Sequence, residues 1–214
     1  MNLVIAIDGP AAAGKGTLAR RLAEHYDLAY LDSGSLYRGT ALCLLRRGQS
    51  APDEAASVAA AKSLPPELLG DPELRAEATG ALASKVAAIP AVRAALLAWQ
   101  RGFAAAPPGG KRGAVLDGRD IGTVVLPDAM VKFWIVASDE ARAERRFKEL
   151  QAKGEGAIYA QVLEDMRERD ARDTARATAP MKPAEDAEII DTSALDADQV
   201  FQRAREVIDR KLRN

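Results

Sequence analysis

The residues best equipped for chemistry lie in one early stretch, Gly9-Pro10-Ala11-Ala12-Ala13-Gly14-Lys15-Gly16-Thr17. Gly9 and Gly14 let the backbone curl until several N–H groups point inward, which makes a nest for phosphate oxygens. Lys15 brings a full positive charge for the β- and γ-phosphates, and Thr17 offers a hydroxyl on the side where Mg²⁺ sits. The apolar run Leu3-Val4-Ile5-Ala6-Ile7 precedes the loop, and Leu18, Leu22 and Tyr26 follow it at helical spacing. A strand feeds the turn and a helix leaves it, so the positive end of that helix also falls on the cradle. A glycine-rich turn that holds nothing is the plain alternative, and Lys15, Thr17 and the flanking pattern weigh against it. Residues 9–17 are therefore expected to hold a nucleoside triphosphate.

The spelling departs in one place from the usual G-x-x-x-x-G-K-[ST] P-loop. Gly16 stands where the hydroxyl residue normally sits, and Thr17 comes one place later. Gly14-Lys15-Gly16-Thr17 resembles nucleoside-monophosphate kinases such as adenylate kinase rather than GTPases. A phosphate acceptor, with its second pKa near ~6, is already ionised at neutral pH and needs no general base. Bringing two polyanions together does need fixed cations, mostly Arg with its bidentate fork. Seven arginines fall between residues 142 and 176: Arg142, Arg145, Arg146, Arg167, Arg169, Arg172 and Arg176. Arg38, Arg93 and Arg119 stand near predicted strand or helix ends. Against a near-neutral chain, Arg145, Arg146, Arg169 and Arg176 read as functional. Arg167 and Arg172 read instead as a solvated helix face, laced by i,i+4 pairs such as Asp165–Arg169–Asp173. Arg169 with Asp173 also suits a ribose. Asp117, ending a buried strand, is expected to orient Mg²⁺ or its waters rather than only to make an Asx-turn into Gly118.

The whole chain narrows the choices. Its 214 residues, 48% hydrophobic, suit one domain, and a net charge of −1 argues against nucleic acid as a partner. Asp8 and the glycine loop interrupt any signal-like start, and no run reaches the ~18 apolar residues of a membrane span. The chain reads as cytoplasmic. Cys43 is the sole cysteine, which excludes an internal disulfide or a cysteine metal cluster, and it reads as a small buried hydrophobe. His25 is the sole histidine and reads as a surface residue, so the chemistry does not run on imidazole.

The elements that must position these residues alternate. A strand over 28–31 ends at Asp32-Ser33-Gly34-Ser35, and a helix is expected over 36–47, stopped by Gly48. Tyr37 and Arg38 fall in its first turns, at the carboxyl end of the strand, where open α/β sheets bind ligands. Ser50-Ala51-Pro52-Asp53 suggests a capping box for an alanine-rich helix reaching 63. Asp71-Pro72 starts another helix, which Ile89-Pro90 breaks. Val92, Leu96, Trp99 and Phe103 then mark one buried helical face. The loop 107–113 leads into a strand over 114–117, and a strand over 131–137 leads to a helix capped by Ser138 or Asp139. Gly154 and Gly156 bracket a hinge before a charged helix over 158–174. A strand over 188–191 and a final helix, with Val200, Ala204, Val207 and Ile208 inward, complete an α/β chain. The fold expected is a P-loop-type parallel sheet with helices on both faces.

Longer stretches carry a more specific resemblance. Ile7-Asp8-Gly9-Pro10, Leu31-Asp32-Ser33-Gly34-Ser35-Leu36-Tyr37-Arg38, Ser84 through Val92-Arg93 to Gln100-Arg101, and Asp117-Gly118-Arg119-Asp120-Ile121-Gly122-Thr123-Val124-Val125 resemble the bacterial cytidylate kinases. So do 142–146, Arg169-Asp170 through Asp173, Arg176 and Pro180, and Asp186-Ala187 with Ile190-Asp191-Thr192-Ser193. The resemblance implies ATP-dependent phosphorylation of CMP or dCMP with Mg²⁺ carried by the ATP phosphates, near Thr17 and Asp117. Ser84, Arg93 and Asp120 would read the cytosine edge, and Arg169 and Asp173 would hold the ribose. Arg38, Arg119 and Arg176 would grip the CMP phosphate with Ser33 close by. Arg145 and Arg146 would face the transferring phosphoryl group. It further implies one domain, 1–214, with a mobile monophosphate-binding segment over 33–103 and a lid over 142–176 that closes to exclude water. The interval before Ser84 lacks alternating strands, so the chain resembles the short-insert form. A monomer acting on free nucleotides is expected, with no membrane partner.

Two rival readings stand beside it. One is a P-loop kinase for another acceptor, UMP or a shikimate-like metabolite; the other is a non-catalytic nucleotide switch. An ordinary GTPase needs Asn-Lys-x-Asp for guanine, yet asparagine occurs only at Asn2 and Asn214.

Overall fold

Residues Leu3–Asp8 form β1, in which Ile5, Ala6 and Ile7 have no exposed surface. A continuous apolar run of this kind belongs to a parallel strand covered on both faces. In this computed structural model, which describes residues 3–154 and 156–213, β1 is the middle strand of five. β2 (Ala29–Asp32), β3 (Gly113–Gly118), β4 (Val131–Val136) and β5 (Glu188–Asp191) complete a parallel sheet of order β2-β3-β1-β4-β5. The order reverses at β1, which pairs with β3 on one side and β4 on the other. Register aligns the carboxyl ends: Asp117 lies opposite Ile7 on one flank and opposite Asp32 on the other. Ligands of open α/β sheets bind in the crevice at such a switch point.

Helices cover both faces. α1 (Lys15–His25) and α8 (Ala197–Arg213) bury Leu18, Leu22, Phe201, Ala204 and Ile208 against Ile5, Ile7 and Phe133. On the other face α2 (Ser33–Arg46), α3 (Glu54–Lys62), α4 (Glu77–Val86) and α5 (Pro90–Ala105) enclose Leu36, Leu44, Val86, Val92 and Leu96. α6 (Asp139–Ala152) and α7 (Tyr159–Thr174) stand apart, with a small core of their own built from Ala143, Leu150, Val162 and Met166.

Several local expectations need correction. α2 starts at Ser33 rather than Leu36, because β2 runs straight into the helix with no loop between them. Asp53 alone caps α3, its carboxylate accepting the Ala56 N–H at 2.8 Å; Ser50 takes no part. Asp71 caps only a 3₁₀ turn, Pro72–Arg75, and α4 begins afterwards at Glu77. Trp99 is 38% exposed and stacks on Phe103, since the buried face of α5 runs through Val92, Leu96, Gln100 and Ala104 at four-residue steps. Cys43 is half-buried against the core. His25 is exposed, as expected of it, and lies edge-on to Tyr26 and Phe201. Among the described residues no strand lies between α2 and α4.

Candidate functional site

The glycine loop takes the shape its residues call for. Gly9 has φ of +141°, and a Cβ there would lie 2.0 Å from the Ile135 carbonyl oxygen, so only glycine lets the loop cross β4. Ala12 and Gly14 also have positive φ, which turns successive N–H groups toward one hollow. Lys15 begins α1, is buried, and donates to the Pro10 carbonyl at 2.6 Å. Burial, and then the nearby Arg119, pushes its ammonium below the usual lysine range, while Asp117 and Asp8 pull the other way. Asp117 shifts upward, through burial and the neighbouring Asp32. Its carboxylate accepts from the Tyr30 hydroxyl at 3.3 Å rather than closing an Asx-turn. A Cβ on Gly16 would sit in ordinary contact with Asp117 Oδ2, at 3.4 Å.

β3 ends in a single π turn, Ile121–Val125, which carries Asp120 at its start. Two charged side chains hold the turn. Asp8 accepts the N–H of Ile121 at 2.8 Å and of Gly122 at 2.7 Å, and Arg101 donates to the Val125 and Val124 carbonyls at 2.9 and 3.0 Å. Burial raises Asp8 to about 6, although those two N–H groups pull it down. Asp120 pairs with Arg93 of α5, both almost fully buried, through Oδ2, and Arg93 also donates to the Ala87 carbonyl at 3.2 Å. The Arg93 guanidinium lies 5.4 Å from the centre of the Tyr37 ring.

Next to this turn the arginines converge. Arg119 donates to Asp173 at 3.1 Å, and Arg176 pairs with the other Asp173 oxygen. Those charges hold the Asp173 carboxyl below its usual range despite burial. Arg38 donates to the Leu74 carbonyl at 2.9 Å and passes over Gly80, where a Cβ would meet it at 3.0 Å. Ser33 presses on Gly118, whose added Cβ would lie 2.4 Å from the hydroxyl. The Nε atoms of Arg169 and Arg176 are buried and unpartnered. Burial, then Arg119 and Arg38, lowers Arg169 to about 10, which leaves it charged at neutral pH. It makes no pair with Asp165, whose carboxylate accepts instead from Gln161 at 2.8 Å.

α6 and α7 close the other side. Arg142 pairs with Asp170 and donates to the Ala11 carbonyl at 3.2 Å, while Asp170 accepts the Ala11 N–H at 3.4 Å. Arg145 donates to the Thr192 hydroxyl and carbonyl at 3.0 and 2.6 Å, and that hydroxyl donates to Ala13 of the loop. Arg146 reaches Glu77 of α4 at 3.1 Å. Arg167 is exposed on Asp139, as a solvated face requires. Arg172 departs from its expected place on that face: it turns inward and donates to the Ser84 hydroxyl at 2.7 Å.

One cleft of about 940 Å³ joins these groups. Residues 11–17 line it, with Ser33, Arg38, Ser84, Arg93, Asp117, Arg119 and Asp120, and with Arg145, Arg146, Arg169, Asp173 and Arg176. Gly9 and Pro10 do not line it; they serve the loop's backbone path. Thr192, Leu195 and Asp196 also line the cleft; Ile190-Asp191-Thr192-Ser193 belongs to the resembling stretches, but its residue types assign it no role in the site. Asp8 and Arg101, each within a resembling stretch, act through backbone contacts that their residue types do not announce. Among the described residues no group of three His, Cys, Asp or Glu could hold a metal ion. An ion that arrives on phosphates would find Asp117 and Thr17 in the cleft lining.

Comparison with known proteins gives a consistent answer. The family model for cytidylate kinase matches residues 5–210. The chain is 60% identical over 211 residues to the cytidylate kinase of Paramagnetospirillum magneticum strain AMB-1, covering 99% of this chain and all of that one. It is 53% identical over 209 residues to that of Rhodospirillum rubrum, covering 98% of each. Among solved structures, a sugar kinase from Janibacter sp. HTCC2649 is 13% identical with a TM-score of 0.52, over 98% of this chain and 95% of that one. A gluconokinase from Sinorhizobium meliloti 1021 is 12% identical with a TM-score of 0.51, over 97% and 92%. The two solved structures share the fold alone. Likeness at this level of identity, along almost the whole length of the sequence relatives, places the chain in the cytidylate kinase family.

Proposed function

We propose that this chain transfers the γ-phosphoryl group of ATP to CMP or dCMP, giving ADP and CDP or dCDP. The observation that carries the reading is one cleft holding Lys15 beside Arg38, Arg119, Arg169 and Arg176, two of them with buried, unpartnered Nε atoms. Among the described residues these four arginines share one paired carboxylate, Asp173, and that local excess of positive charge suits an anion of high charge.

Residues 11–17 would cradle the triphosphate, with Lys15 on the β- and γ-phosphates. Across the cleft, Arg38, Arg119 and Arg176 would hold the CMP phosphate beside Ser33. Arg169 and Asp173 would take the ribose. Ser84, Arg93 and Asp120 would read the base, since Arg93 occupies only one Asp120 oxygen and leaves the other to accept from an amino group. The acceptor phosphate attacks in line; its new P–O bond forms as the bond to the β-phosphate oxygen breaks, with no proton to remove first. Arg145 and Arg146 would approach the transferring group, which requires them to leave Thr192 and Glu77 as the lid, 142–176, moves against the segment 33–103. The separate small core of α6 and α7 suits such movement. Mg²⁺, brought with ATP near Thr17 and Asp117, would neutralise charge on the β- and γ-phosphates. We place the enzyme in the cytoplasm as a monomer on free nucleotides, in keeping with its near-neutral charge. A coupled assay offering ATP with CMP, dCMP, UMP, AMP or shikimate in turn tests the reading. Turnover should be highest with CMP or dCMP, and none with either would overturn it.

A further inference from the structure

Ser84 sits in α4, where a serine hydroxyl ordinarily bonds back to the carbonyl four residues earlier, as Thr40 does to Leu36 and Ser63 to Ala59. Ser84 does not. Its oxygen accepts from Arg172 Nη1 at 2.7 Å, and among the described residues nothing accepts its proton. The side chain is buried, lines the cleft and stands on the same wall as Arg93 and Ala87. A guanidinium carries only donors, so the bond can run one way. A serine hydroxyl has one proton, and here that proton is left for whatever enters the cleft.

We infer that Arg172 is a specificity-determining residue: by biasing the Ser84 hydroxyl to act as a donor toward the base, it favours cytosine over uracil. The inference rests on the reading that Ser84 meets the pyrimidine. Cytosine offers acceptors at N3 and O2, whereas uracil places an N–H at N3. A hydroxyl free to rotate would serve both bases, accepting from one and donating to the other. A guanidinium bonded to one lone pair draws charge from the oxygen, so the hydroxyl donates more strongly and its remaining lone pair accepts the uracil N–H less well. Two unlike segments supply the pair, since Arg172 belongs to α7 and Ser84 to α4. The discrimination is therefore complete only when those helices are in contact.

The test measures kcat/KM for CMP and for UMP in the wild type, Arg172→Gln, Arg172→Lys, Ser84→Ala and the double variant Ser84→Ala/Arg172→Gln. Glutamine keeps a polar chain but can accept as well as donate, which releases the hydroxyl, whereas lysine can only donate. Arg172→Gln should lower the CMP-to-UMP ratio about tenfold, mainly through the two KM values, as loss of one discriminating hydrogen bond does. Arg172→Lys should retain most of the ratio. The double variant should fall no further than Ser84→Ala alone. An unchanged ratio in Arg172→Gln, or additive losses in the double variant, would overturn the role of Arg172. Melting curves check folding; if Arg172→Gln is unfolded, an unchanged ratio in Ser84→Ala overturns the inference instead. Failure of the wild type to phosphorylate CMP is a separate result, which removes the underlying reading and this one with it.

Discussion

The Asp8 carboxylate accepts the backbone N–H of Gly122 at 2.7 Å. Asp8 immediately precedes Gly9 and Gly122 follows Asp120 by two residues, so one buried side chain ties the phosphate loop to the turn that carries Asp120. Burial costs this carboxylate charge, and its folded-state pKa rises from 3.8 to about 6. The folded protein therefore binds the proton more tightly than the unfolded chain does. Stability from this group falls as pH rises through that window and is level above it. The stability difference, wild type minus Asp8→Asn, should drop by on the order of 3 kcal/mol between about pH 4 and pH 6.5. Denaturant unfolding of both proteins across that range checks it, and a flat difference refutes it.

Lys15 is buried in the loop with Nζ on the Pro10 carbonyl. Its burial disfavours the charge, so its removal should not harm the fold. Lys15→Ala should lower kcat by about 10²- to 10³-fold, the scale of losing one preorganised charge at a transition state. The melting temperature should stay level or rise. Undiminished ATP-dependent turnover would dismiss the loop's assignment.

Asp120→Ala separates base reading from general damage. The variant leaves Arg93 buried without its partner, which should destabilise the protein by about 3 kcal/mol. Beyond that, KM for CMP should rise far more than KM for ATP. Steady-state kinetics at a temperature where the variant is fully folded decide it: equal increases would mean that Asp120 does not meet the base.

Arg169 crowds Arg119 and Arg38 with its own Nε unpartnered. Arg169→Gln should therefore raise the melting temperature of the nucleotide-free protein while weakening CMP. Added inorganic phosphate should stabilise the wild type more than the variant, because an anion relieves the same repulsion. A variant less stable than the wild type without any anion would show that the arginine cluster is not strained.

Much of this protein is legible in its amino-acid sequence alone. The apolar runs set the strands, the glycine-lysine loop sets the phosphate cradle, and the excess of arginine in a near-neutral chain points to a polyanionic substrate. These features are local: each depends on residues within a few positions of one another and on hydrophobic or electrostatic rules that do not need the fold. Resemblance of the longer stretches adds the acceptor.

Tertiary structure decided the rest, wherever a side chain's partner lies far along the chain. Asp8 meets Gly122 because β1 and β3 are neighbours in register, and Trp99 stays exposed because α5 presents a four-residue stripe to the core. Arg167 and Arg172 are five residues apart on one helix and look alike in sequence. One faces solvent on Asp139, and the other turns inward to Ser84. Helical periodicity places them on different faces, but only the packing of α7 against α4 determines which face meets the cleft, and an arginine takes its role from what it finds there.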